Sequence, residues 1–74
     1  MGFFGNKPWW KDKESGWPGK GVRDFFDESQ RYYEDGDIET AIEILEWGKR
    51  FSLEFGSGGG ASRFDQMIAT LRDQ

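Results

Sequence analysis

Apolar and polar positions change their spacing several times along this chain, and each change marks an element. Through residues 1–21 there is no period: Phe3, Phe4, Trp9, Trp10 and Trp17 are scattered among Gly2, Gly5, Gly16, Gly19, Gly21, Pro8 and Pro18. Gly and Pro at that density break regular structure, and Trp17-Pro18-Gly19 is a turn signal. From Val22 the apolar set Val22, Phe25, Phe26, Ser29, Tyr32 and Tyr33 falls at three- and four-residue spacing, one face of a helix over residues 22–34. Asp24, Asp27 and Glu28 sit early in it, where negative charge complements the helix dipole. Gly36 suits the left-handed position that ends a helix, and Asp37 suits the N-cap of the next. Those two residues therefore predict a helical hairpin.

The second helix, from Ile38 to about Phe55, is apolar on two faces. Ile38, Ala41, Ile42, Leu45, Gly48 and Ser52 form one stripe. Ile44, Trp47, Phe51 and Phe55 form another, about 100° round the axis at 3.6 residues per turn. A helix with two apolar faces needs two neighbours. The first helix can supply one. The other falls to the N-terminal arm, to a third helix or to another molecule, and the arm aromatics are expected to cover Trp47.

Residues 56–61, Gly-Ser-Gly-Gly-Gly-Ala, have the composition of a flexible loop. They also match the glycine pattern of dinucleotide-binding folds, but that pattern has force only after a strand, and here a helix precedes it. Ser62 followed by Asp65 reads as a capping box. Phe64, Met67, Ile68 and Leu71 then mark a short amphipathic helix over residues 62–73. The expected fold is all-α: a small three-helix domain over residues 22–74, built on an αα-hairpin, with an irregular aromatic-rich arm over residues 1–21.

Residues 22–55 resemble one tetratricopeptide-repeat unit, a helical hairpin of about 34 residues with bulky and small residues at set positions. Aligned on Gly36-Asp37, Phe25 takes the place of the family's Trp, Ser29 of the small residue between helices and Tyr32 of the Tyr. Ala41, Leu45 and Gly48 match the small, bulky and small positions of the second helix. Glu28 stands where Leu is usual, and no Pro closes the unit. One copy is visible, so the resemblance implies a solitary hairpin. It also implies that the third helix acts as the capping helix of such arrays does.

Composition sharpens this. A 74-residue chain is one domain, and at that size folding buries only about 60% of the unfolded surface. The chain has no cysteine to staple it, but seven Phe, four Trp and two Tyr. Aromatics bury roughly 150–250 Å² each, enough to build a core despite a mean hydropathy of -0.84. The net charge of -4 is uneven: residues 1–23 carry five cations against two carboxylates, and residues 24–74 five against twelve. A basic arm on an acidic body either folds back on that body or reaches a partner. No apolar run approaches the ~20 residues of a membrane span. The N-terminus has no secretory core, so a cytoplasmic location is expected.

The chain has no His and no Cys, which removes the usual general base, thiol nucleophile and transition-metal ligands. Glu34, Asp35, Asp37 and Glu39 cluster at the turn without the ligand order of a calcium loop. No cofactor or metal is expected, and the chain reads as a non-enzyme. The expected role is protein–protein interaction, as a small adaptor, assembly component or inhibitor, with a second copy of the chain among the candidate partners. The expected partner-binding residues are Trp9, Trp10, Trp17, Trp47, Phe51 and Phe55. Two alternatives stay open. Trp9, Trp10 and Trp17 interleaved with Lys7, Lys11, Lys13 and Lys20 could stack single-stranded nucleic acid. The acidic body could instead mimic nucleic acid toward a basic groove.

Overall fold

A computed structural model describes residues 7–56 and 58–74. The expectations placed on Met1–Asn6 and on Ser57 lie outside the described residues. Three helices, α1 (Val22–Glu34), α2 (Ile38–Glu54) and α3 (Gly58–Arg72), follow a short 3-10 turn at Trp9–Lys11, and no strand occurs among the described residues. The fold is the all-α three-helix arrangement.

The hairpin between α1 and α2 forms as its residues dictate. Gly36 sits at φ 86°, where a Cβ would be penalised. Its N–H donates to the Tyr33 carbonyl at 3.0 Å and that of Asp37 to the Tyr32 carbonyl at 2.9 Å. This pair of bonds closes the last turn of α1. Asp37 then caps α2, its carboxylate accepting the Thr40 N–H at 3.2 Å. At the other end of α1, the Asp24 carboxylate reaches back to the Gly21 N–H at 2.8 Å.

Helix α2 is the central element, with α1 and α3 packed on it and antiparallel to it. Ala41, Leu45 and Ser52 are buried along its first stripe. Between α1 and α3 backbone contact is sparse. The ring of Phe64 bridges them, stacked on Phe26 at 4.2 Å and edge-on to Phe25 at 6.5 Å. Gly48 makes room for that ring. A Cβ at residue 48 would lie 2.5 Å from the Phe64 Cζ and 3.0 Å from the Phe25 Cβ. Gly48→Ala should therefore destabilise the protein by about 1–2 kcal/mol. Overpacking costs about 1–3 kcal/mol and outweighs the roughly 1 kcal/mol gained in helix propensity. A urea melt showing Gly48→Ala more stable than the parent chain would sink this account.

Two features of α3 correct the sequence reading. The helix begins at Gly58, not Ser62, so residues 58–61 are its first turn rather than part of a loop. Gly60 and Ala61 are buried there. Tertiary burial of small residues decides the matter, although each helical glycine costs about 1 kcal/mol in propensity. Ser62 is thus inside the helix, and Asp65 forms an ion pair with Lys49 on α2 at 2.9 Å instead of closing a capping box. Met67, expected in the buried stripe, is 41% exposed, and Ala61 joins Phe64, Ile68 and Leu71 inside.

The arm covers the second face of α2. Its backbone is a knot around Asp12, whose carbonyl accepts the N–H groups of Gly16 (2.7 Å) and Trp17 (3.1 Å), while its carboxylate accepts that of Ser15. Gly16 is required by closeness, since a Cβ there would lie 2.6 Å from the Trp9 Cα. The knot turns Trp17 inward. Its ring meets Phe51 at 5.3 Å, Phe25 at 5.8 Å, Phe55 at 6.2 Å and Trp47 at 6.3 Å, each edge-on. Its indole N–H donates to the Trp10 carbonyl at 2.9 Å in the interior. Arm and helices therefore share one core. The boundary expected at residue 21 marks a change of backbone and not of packing.

Candidate interaction surface

The six residues expected to meet a partner separate by burial. Trp10 and Trp17 are 3% exposed and Phe51 8%, so their area is spent within the chain. Trp9 and Trp47 are half-buried. Trp9 lies edge-on to Phe25 at 4.9 Å, and Trp47 carries the Arg50 guanidinium over its ring at 5.0 Å. Phe55 alone of the six is open, at 67% exposed.

Three of the four arm lysines are also engaged, while Lys7 is exposed. The Lys11 ammonium lies 3.3 Å from Glu43 and 5.3 Å from the centre of the Trp10 ring. That of Lys13 lies 3.1 Å from Glu54 and 5.3 Å from the Trp17 ring. Lys20 sits over Trp9 at 4.8 Å. Base stacking needs open ring faces beside free cations. Here the cations lie over rings of their own chain, and two of the three rings are buried. The +3 arm against the −7 body is expressed as ion pairs from the arm to α2. Each is half-exposed and contributes at most about 1 kcal/mol, but together they fix where the arm lies.

Open surface exists elsewhere. Because α1 and α3 each pack on α2 and meet mainly at Phe64, a groove of about 260 Å³ runs between them, lined by Phe26, Tyr33, Met67 and Leu71 with Ser29, Gln30, Thr70 and Gln74. No charged side chain lines it. Gln74 donates from its amide to the Tyr33 hydroxyl at 3.1 Å across its upper end. The sequence reading missed this groove by placing Tyr33 and Met67 in buried stripes. The usable signal lay in α1, where Val22, Phe26 and Tyr33 follow a line about 100° round from Phe25, Ser29 and Tyr32. That is the same two-faced pattern as in α2.

A second hollow, about 540 Å³, lies at the C-terminal end of α2 between Phe51, Phe55 and the arm residues Lys13, Trp17, Pro18, Gly19 and Lys20. At the far end of the molecule the hairpin turn presents Glu34, Asp35, Asp37 and Glu39, none of them in an ion pair among the described residues. No group of carboxylates among the described residues is placed to hold a metal ion. No helix among them is long and apolar enough to cross a membrane.

Searches against protein-family models, curated proteins and solved structures found no match to this chain.

Proposed function

We propose that this chain is a non-enzymatic protein–protein interaction module, a small adaptor, assembly component or inhibitor, whose α1–α3 groove takes an apolar side chain or two of a partner protein. The observation that carries the reading is the groove itself. It has aromatic and thioether walls, and among the described residues only the Gln74–Tyr33 hydrogen bond crosses one end of it. Its volume is below the roughly 300–1,000 Å³ of small-molecule sites, which suits an anchor side chain rather than a cofactor. Met67 adapts its shape to what it meets, and Tyr33 adds contact area at little entropic cost. Gln30, Thr70 and Gln74 already donate to Glu34, the Gln66 carbonyl and Tyr33, and their side-chain oxygens can accept uncharged hydrogen bonds from a bound backbone.

The tetratricopeptide-like spacing of Phe25, Ser29, Tyr32, Ala41, Leu45 and Gly48 is in keeping with such a role. The engagement of Lys11, Lys13 and Lys20 and the burial of Trp10 and Trp17 weigh against nucleic acid as the ligand.

The test is affinity capture from the native host with the parent chain, with Met67→Glu and with Trp9→Ala. The Met67 change puts a charge in the groove at an exposed position and should lower recovery of the specific partner by about tenfold or more, as loss of a central contact does. Trp9→Ala should leave recovery intact. A partner indifferent to Met67→Glu, or recovery of nucleic acid instead of protein, would overturn the reading.

A further inference from the structure

The hollow at the C-terminal end of α2 and the acidic turn at its N-terminal end have complementary chemistry. Two lysines and no carboxylate line the hollow. Lys13 is held by Glu54 at 3.1 Å, while Lys20 meets no carboxylate among the described residues and rests on the Trp9 ring. Phe55 stands open at its edge. Facing away at the opposite end, four carboxylates lie within six residues on a protruding turn, with half-buried Ile38 beside them. The two surfaces are separated by the length of α2, whose 17 residues span about 25 Å at 1.5 Å per residue.

We propose that the occupant of this hollow is the acidic turn of a second copy of the chain. Asp35 and Glu39 face Lys20, and Ile38 lies against Phe55. Because donor and acceptor surfaces are different and at opposite ends, the contact is head-to-tail. Such a contact adds copies in a row and does not close as a symmetric dimer. Opposite charges steer the encounter, and Phe55 supplies the apolar area.

Analytical ultracentrifugation of the full chain over a concentration series up to millimolar protein tests this. At low ionic strength the weight-average mass should climb past two chains without a plateau. Raising the salt from about 0.01 to about 1 M shortens the Debye length from about 30 to about 3 Å and should drive the distribution back toward monomer. Phe55→Asp spoils the hollow and leaves the turn. The double change Asp35→Ala, Glu39→Ala spoils the turn and leaves the hollow. Both lie at exposed positions, and each should weaken association by about tenfold or more. Mixed together they should form a species of two chains and no larger, because one working pair of surfaces remains. Met67→Glu should change nothing, which separates this contact from the α1–α3 groove. A parent chain that stays monomeric throughout would overturn the proposal. So would a dimer that stops at two, or a mixture that assembles no better than either variant alone.

Discussion

Trp17→Ala is expected to abolish the cooperative melt or to lower stability by about 3–5 kcal/mol, the usual cost of removing a large core aromatic. A domain of this length has a total stability on the order of 5–10 kcal/mol. One side chain of a Gly- and Pro-rich arm therefore carries a large share of the fold. The reason is geometric. Trp17 is 3% exposed and contacts Phe25 of α1 and Trp47, Phe51 and Phe55 of the second stripe. The Asp12 knot places it there at short range, so little loop entropy is lost in making those contacts. Trp17→Phe separates volume from hydrogen bonding. It keeps an aromatic but leaves the buried Trp10 carbonyl without its donor, a loss of about 1–3 kcal/mol. Far-UV circular dichroism during urea denaturation reads both variants. A Trp17→Ala chain that melts within about 0.5 kcal/mol of the parent, the size of an ordinary surface change, would mean that the arm is only laid on the helices.

What the sequence made legible follows from where each signal lies. The limits of α1 and the start of α2 rest on local chemistry, Gly36 and Asp37, and that chemistry agrees with the change of apolar period. The need to cover the second face of α2 was legible too, because Ile44, Trp47, Phe51 and Phe55 lie too far round the axis for α1 alone. The start of α3 was not. Gly58, Gly59 and Gly60 are loop-like by local preference, and the burial of Gly60 and Ala61 in the folded chain favours the helix there. Of the six aromatics named as binding residues, Trp10, Trp17 and Phe51 are buried within the chain. Trp10 and Trp17 lie in a polar, glycine-rich context, yet a small chain without disulfides spends its largest side chains on its own core. Surface was left where the sequence suggested core, at Tyr33 and Met67, because α1 and α3 pack extensively on α2 and only sparsely on each other.

Replacing Ala41 with Glu should unfold the protein under conditions where the parent is stable. Ala41 is 0% exposed, one turn from the fully buried Leu45 on the face of α2 that packs on its neighbouring helices. Burying an unpaired carboxylate costs several kcal/mol, and no arginine or lysine lies within a turn of residue 41 on α2 to neutralise it. Volume alone contributes about 1–3 kcal/mol of that loss. Ala41→Met measures the volume effect separately, since methionine is of similar length without the charge. Glu39→Ala, two residues away and exposed, should shift stability by about 0.5 kcal/mol or less. The expected order is therefore parent and Glu39→Ala together, Ala41→Met below them, and Ala41→Glu without a cooperative transition. A cooperative Ala41→Glu melt close to that of Ala41→Met would show that the side chain escapes to water. The close packing of α2 against its neighbours at this turn would then be wrong.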